Sequence, residues 1–382
     1  MTTTQQEQQS TETIGTSSLV NVGLTHDEMA SPAYFKRELE TIFTKNWQFV
    51  GHVSEVTKPG DFLRWNLGDV SVLVVRGRGG SLNAMHNVCR HRGAELFDTD
   101  RGNCGRTISC PYHGWTFGLD GELKGAPQMQ PEADLTGLSL KPVWVDEWHG
   151  LVFVCLAPER PSSVAEQLTG TVLEQYQLAN AKVVFSEDTR VEANWKVMWE
   201  NGLECYHCAI NHPELQRVVP VTRSGPQPDH VELGDFDFRP YFPLLEGRQS
   251  PTLHGDYESK LLGDPLSPPD SVSFLQWHAS IFEIIAAPDH AHVMTYLPIN
   301  ERATLVRTRL LAHVDAVKGE DLHVDELLGL HRVTRQQDND LCERVQRGVQ
   351  SPAYEPGPYN HNYEFQNKNF VRLYRRTLAQ DF

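Results

Sequence analysis

The sequence has no long apolar run. Its longest apolar stretches, around Val70–Val75 and Leu151–Ala157, are too short to cross a bilayer. Basic side chains are in deficit: 34 Lys and Arg stand against 50 Asp and Glu, a formal charge of −16. That balance argues against general nucleic-acid binding and against docking on an anionic membrane. The seven cysteines (Cys89, Cys104, Cys110, Cys155, Cys205, Cys208 and Cys342) are few and odd in number, which is not a secreted disulfide framework. The N-terminal region shows no basic stretch followed by an apolar one, so no signal peptide is read and a reducing cytoplasm is expected. What remains is an ordinary globular composition, 39% hydrophobic and 22% charged over 382 residues. This length predicts two domains with a core large enough to do without disulfides.

Residues 1–18, rich in Thr, Gln, Ser and Glu, read as a mobile tail. Ser31 suits a helix N-cap with Pro32 at the first helical position, and Phe35, Leu39, Ile42 and Phe43 fall on one face. From Trp47 to about Pro158 the pattern changes to short β segments between Gly- and Pro-rich turns: 61–65, 70–76, 82–88, 107–110, 115–119 and 151–156. Residues 194–211 read as one helix capped by Asn194 and stopped before Pro213. Residues 218–269 look like loops. Segments 272–275, 280–286, 291–297 and 303–313 alternate as antiparallel strands, and a helix is expected over about 320–348.

Two motifs carry chemistry. In the first, Cys89-Arg90-His91 is followed, 18 residues on, by Cys110-Pro111-Tyr112-His113. A zinc finger places both cysteines first and both histidines last; here they alternate. Alternation suits a two-iron cluster presented by two loops, each loop giving one ligand to each iron, so that one iron has two thiolates and the other two imidazoles. Neutral histidines remove negative charge and raise the reduction potential to about −150 to +300 mV, against about −400 mV for an all-Cys cluster. A zinc site or four unrelated core residues are the competing readings. Cys104 falls outside the pattern and reads as a loop or core thiol.

The second motif is Glu204-Cys205-Tyr206-His207-Cys208 followed by Asn211-His212-Pro213. Glu204 and His207, three apart, would share a helix face. His207 and His212, five apart, diverge on an ideal helix, but Pro213 pushes His212 out of the α region, so the second ring can swing back. Two histidines then need one carboxylate to make the open facial triad of a non-haem Fe(II) oxygenase. Satisfied core or surface histidines are the plainer reading of this pair alone. Cys205 and Cys208 form a C-x-x-C that could be redox-active; core thiols fit better beside a committed His207.

Together, with Arg92-Gly93 after the first Cys-His pair and Gly114-Trp115 after the second, these motifs resemble the α subunits of Rieske non-haem iron oxygenases over nearly the whole chain. The resemblance implies an α+β fold: an all-β Rieske [2Fe–2S] domain over 45–160, and a helix-grip catalytic domain with an antiparallel sheet from 19–44 and 161–382. It implies Cys89, His91, Cys110 and His113 as cluster ligands and His207 and His212 as ligands of a mononuclear Fe(II). The third ligand is expected in Gln336-Gln337-Asp338-Asn339-Asp340, at Asp338, with Asp340 as the second choice; a solvated helix face is the alternative. It implies that Glu204 bridges a Rieske histidine of one subunit and an iron-ligand histidine of its neighbour. Most ring-hydroxylating relatives carry Asp there, and Glu resembles the subset acting on quaternary amines: glycine betaine, carnitine and proline betaine.

That subset implies O2-dependent oxidation of a small betaine-like amine, with N-demethylation releasing formaldehyde. Electrons would come from NAD(P)H through a flavin and ferredoxin-type reductase, and the assembly would be a homotrimer without a β subunit. An aromatic-ring oxygenase acting on an aromatic acid and a non-enzymatic metal or electron carrier are the alternatives. A quaternary ammonium would be recognised by an aromatic cage, for which Tyr206, Tyr241, Phe242, Phe274, Trp277, Phe282 and Tyr296 are candidates.

Overall fold

The computed structural model describes residues 22–170, 172–220, 237–238, 241–264, 266, 268–269 and 271–379. The N-terminal tail read from the sequence lies outside the described residues. The chain then enters α1 (His26–Ala30), closed by a reciprocal cap between Thr25 and Glu28, and α2 (Pro32–Glu38), capped by Ser31 with Pro32 at its first position. One π-helical turn, Leu39–Phe43, follows and buries Ile42 and Phe43.

The strands β1 (Gln48–His52), β2 (Asp61–Leu67), β3 (Val70–Arg76), β4 (Leu82–His86), β5 (Arg101–Asn103), β6 (Ile108–Ser109), β7 (Thr116–Phe117), β8 (Leu123–Gly125), β9 (Pro142–Trp148) and β10 (Leu151–Cys155) build the β-rich first half. The order is β1-β10-β9-β4-β3-β2-β5 in an antiparallel seven-stranded sheet, with β6-β7-β8 as a small second sheet. β9 was not among the sequence-predicted strands; the adjacent acids Asp146 and Glu147 interrupt its short apolar pattern. Phe62, Leu73, Val75, Met85, Ile108, Trp115 and Phe117 fill the space around the first Cys-His motif and enclose both of its cysteines.

After α3 (Val164–Gln167), the edge strand β11 (Ala181–Val191) leads into α4 (Trp195–Gly202). A short α5 (Cys208–Asn211) follows. The second sheet is completed by β12 (Asp237–Phe238), β13 (Tyr241–Pro243), β14 (Ser271–Trp277), β15 (Phe282–Ala286), β16 (His290–Asn300) and β17 (Ala303–His313). Its order is β11-β17-β16-β15-β14-β12, with β13 also on β14, and all these pairings are antiparallel. The helices α6 (Val324–Val349) and α7 (Phe365–Ala379) close the fold. α6 begins on an apolar face of Leu327, Leu328 and Leu330. Further along, it buries Asp338, Asn339, Cys342 and Gln346 instead, and that change of character marks where the helix meets the site.

The single helix expected over 194–211 is two helices with a break at 203–207. Glu204 explains the break. Its carboxylate accepts the backbone N–H groups of Tyr206 and His207, which therefore do not return to carbonyls of the preceding turn, and the first helix stops. Glu204 and His207 therefore meet in the break and not along a helix face. A buried ion pair, Lys196 Nζ to Glu38 Oε1 at 2.5 Å, ties α4 to α2, and Trp195 and Tyr374 donate to the same carboxylate.

Candidate active site with two metal positions

The two Cys-His loops are built alike. In each, the cysteine N–H bonds across to the residue after a glycine (Cys89 N to Ala94 O, 2.8 Å; Cys110 N to Trp115 O, 2.8 Å). The glycine N–H returns to the cysteine carbonyl (Gly93, 3.0 Å; Gly114, 3.1 Å). Gly93 and Gly114 have φ of 75° and 71°, which a side chain would strain. This geometry brings the Cys89 and Cys110 thiols into contact in the core, with His91 and His113 exposed at the rim, their rings 4.8 Å apart. His91 also stacks on Trp115 at 4.9 Å. Burial and the Cys110 thiol hold the Cys89 thiol above its ordinary range. A bound cation reverses that balance. Two thiols inside and two imidazoles outside fit a two-iron cluster whose histidine-bound iron faces the surface.

The second motif gathers around α6. Asp338 Oδ1 lies 3.3 Å from His207 Nε2 and 3.1 Å from His212 Nε2. Ligand atoms at about 2.1 Å from one ion, at right angles, would stand about 3 Å apart, which both Asp338 separations match; the two histidines' ligand atoms lie within 4.8 Å of each other, so the three residues could hold one metal. His212 leaves the helix at φ −119° and ψ 65°, directly before Pro213, and this brings its ring back beside that of His207, 5.2 Å away. Asp340 points away; it is exposed and accepts from Gln336 at 2.9 Å.

The surrounding groups orient the two imidazoles. His207 Nδ1 lies 2.5 Å from Glu204 Oε1, and His212 Nδ1 lies 2.8 Å from Gln337 Oε1, which is itself held by Glu214. Each ring therefore donates through Nδ1 and keeps Nε2 free for a metal. Burial opposes charge on His207, but Asp338 and Glu204 outweigh it and push the imidazole up to about 10. Burial likewise opposes ionisation of Asp338, and the two histidines hold it well below the usual carboxylate range. A metal would replace those protons.

A cavity of about 120 Å³ opens on this triad, bounded by the break at 203–207, α6 and the face of β14–β16. The aromatic cage expected from the sequence is not assembled here. Of its candidates only Phe274 lines the cavity among the described side chains. Trp277 and Phe282 are core, Phe242 packs against Phe274, Tyr296 is held by Trp199 and Arg335, and Tyr206 stacks on Tyr363 at the surface; the side chain of Tyr241 lies outside the described part. A strand's period of two buries alternate aromatics, and the sheet face they reach is set by register, which a residue list does not contain. Sequence reasoning missed Gln337, Glu283, His292, His331 and Arg335. The 331, 335, 338 spacing on one helix face was the available signal. Cys205 and Cys208, read as core thiols, contact each other on the cavity wall, and Cys208 Sγ lies 3.9 Å from His207 Nε2.

Residues 46–148 match the Rieske [2Fe–2S] domain family, and residues 178–380 match the ring hydroxylating alpha subunit catalytic domain. The chain belongs to the Rieske non-haem iron oxygenases. The oxygenase is 37% identical over 374 residues to the glycine betaine monooxygenase oxygenase subunit of Pseudomonas aeruginosa, covering 91% of this chain and 87% of the relative. It is 30% identical to the carnitine monooxygenase oxygenase subunit of Acinetobacter baumannii, over 85% of this chain and 84% of that one. Its fold matches a quaternary ammonium Rieske monooxygenase at a TM-score of 0.76 and 24% identity, over 95% and 96% of the two chains. It also matches the naphthalene 1,2-dioxygenase of Rhodococcus sp. at 0.70 and 17%, over 93% and 94%. The oxygenase accordingly uses a Rieske [2Fe–2S] cluster and a mononuclear iron. No helix among its described residues is long and apolar enough to cross a membrane.

Proposed function

We propose that this chain is the terminal oxygenase component of a two-component monooxygenase that oxidises a small quaternary amine of the betaine or carnitine type. The carrying observation is Glu204 on His207 Nδ1, in a segment whose relatives over nearly the full length are glycine betaine and carnitine monooxygenase subunits. The residues 45–160 form the Rieske unit, and 19–44 with 161–382 the catalytic unit, after a tail at 1–18. Cys89, His91, Cys110 and His113 would hold the cluster; His207, His212 and Asp338 would hold the iron. The bound iron supplies the activation of O2.

The chain's own groups do the rest. Glu204 and Gln337 fix the tautomers of the two imidazoles. The apolar part of the wall, with Leu215, Val219, Val272, Phe274, Ile285 and Leu330, excludes water from the substrate carbon. An oxygen atom placed on an N-methyl carbon leaves a carbinolamine that collapses to the demethylated amine and formaldehyde. Electrons come from NAD(P)H through a flavin and ferredoxin-type reductase in the cytoplasm. In a homotrimer, the exposed His91 and His113 of one subunit would meet Glu204 of the next, which then links the two metal sites.

The test is an aerobic panel of glycine betaine, carnitine and proline betaine with reductase and NADH. Formaldehyde is expected. Hydroxylated arene from benzoate- or phthalate-like acids, without formaldehyde from any amine, would support the ring oxygenase reading instead.

A further inference from the structure

At the far end of the cavity from the triad lies a chain of hydrogen-bonded groups that the chemistry above does not use. Asp289 is fully buried. It accepts from Ser250 Oγ at 2.6 Å and from the Glu258 N–H at 2.8 Å, and it lies 2.8 Å from His290 Nδ1. His290 Nε2 lies 2.8 Å from His331 Nε2. His331 stacks on His292, ring centroids 4.4 Å apart and 16° from parallel. His331 and His292 line the cavity. His292 is 5% exposed, and its Nδ1 is buried with no hydrogen-bond partner among the described residues. A buried imidazole nitrogen without a partner costs free energy, and the ring that carries it lines the cavity.

The direction of the chain follows from charge balance. The Asp289 carboxylate has no Lys or Arg partner among the described residues; its ion-pair partner is His290. A buried carboxylate requires such compensation. Asp289 accepts from His290 Nδ1–H, and where His290 also donates through Nε2, His331 Nε2 accepts and the His331 Nδ1–H is left as a donor. Arg335, one helical turn on, also lines the cavity; it is held by the Tyr296 hydroxyl at 2.9 Å, by Met294 Sδ and by Glu283 at 3.6 Å, and its buried Nε has no hydrogen-bond partner among the described residues. Position supports two separate ends. His331 precedes Asp338 by seven residues of α6, about 10 Å of helical rise, and across the sheet Phe274, Ile285 and His292 form one cross-strand row.

We propose that His292 and His331 are the anchor for the substrate's carboxylate, with Asp289 and His290 as positioning residues that present His331 as a donor. This rests on the quaternary-amine reading of the site and orients the substrate within it, with the ammonium end towards the triad and the carboxylate at the histidines. An amine with a neutral alcohol in place of the acid lacks the group this end binds.

The experiment compares glycine betaine with its methyl ester and with choline, as substrates and as ligands in equilibrium dialysis, on the loaded oxygenase and on His292→Leu, His331→Leu and Asp289→Asn. A hydrogen bond to a charged group corresponds to about a 10- to 100-fold change in affinity. Wild type should prefer the acid over both analogues by at least about 10-fold. Each variant should lose about 10- to 100-fold for the acid while the ester changes by less than about 2-fold, with the visible spectrum of the cluster unaltered. Equal turnover of choline and glycine betaine by wild type would overturn the inference and leave the amine reading standing. A variant that loses acid and ester equally has lost structure and not an anchor, which also counts against it. If no amine yields formaldehyde, the functional reading fails, and dialysis decides the inference separately: selective binding of the acid that is lost in His292→Leu upholds it, and no selective binding overturns it.

Discussion

Glu204 Oε1 stands 2.5 Å from His207 Nδ1, while the same carboxylate's other oxygen accepts the backbone N–H groups of Tyr206 and His207, just before the helix that begins at Cys208. One side chain thus breaks the helix, fixes a tautomer and places a negative charge beside the metal position. Glu204→Gln keeps an acceptor but removes the charge. Reduction of the cluster by the reductase should remain normal, with amine turnover falling about 10- to 100-fold, as for other groups that orient a metal-bound histidine. Stopped-flow absorbance of the cluster under substrate and O2 checks it: fast reduction followed by slow reoxidation is expected.

Asp338 and Asp340 are separated by the same measurement. Asp338→Ala should leave the [2Fe–2S] spectrum intact, lower the mononuclear iron content towards zero and abolish turnover. Asp340→Ala, on an exposed residue that accepts from Gln336, should resemble wild type. Iron per chain by elemental analysis, alongside formaldehyde production, reads both.

Much of this site was legible before any coordinates. The alternating Cys-His pairs, the Glu204–His212 segment and the Pro213 device all depend on local spacing, and local spacing is what a sequence records. The cavity wall was not legible, because it depends on which face of β14–β16 meets α6. Even on one face the wall depends on tertiary packing: Tyr296 and His292, four apart on β16, point the same way, yet only His292 lines the pocket, because Tyr296 is held by Arg335 and Trp199. β11 was missed because its burial is partial along most of its length, and α7 because its apolar positions are sparse among polar ones. The break at 203–207 was missed because the competing acceptor is a glutamate reaching two and three residues forward, which helix propensity does not register.

The pair Lys196–Glu38 is buried on both sides and shared with Trp195 and Tyr374. Lys196→Met leaves the Glu38 charge uncompensated and should cost about 3–5 kcal/mol. Lys196→Met with Glu38→Gln should recover a large part of that. Denaturant midpoints at constant slope would show it.

His52 and His278 are buried, and burial lowers both to about 4 from an ordinary 6.5. His278 Nδ1 accepts from the Trp199 indole at 3.0 Å, which requires that nitrogen to be unprotonated. Between pH 6.5 and 4 the unfolded chain binds more protons than the folded one, so stability rises with pH across that window and is lost as the pH falls through it. Each histidine contributes up to about 3 kcal/mol of that slope. His278→Gln, whose amide oxygen can still accept from Trp199, should flatten it. Thermal melts at pH 7 and pH 4.5 give the comparison: the gap between the two should be smaller in the variant.

The account stands on a single stoichiometry. Purified chain with reductase, NADH and O2 is given glycine betaine labelled in its N-methyl carbons, and O2 uptake, labelled formaldehyde and demethylated amine are counted together. The prediction is one formaldehyde and one demethylated amine for each O2 consumed. O2 uptake without labelled formaldehyde, for glycine betaine and for every other quaternary amine tried, would contradict it.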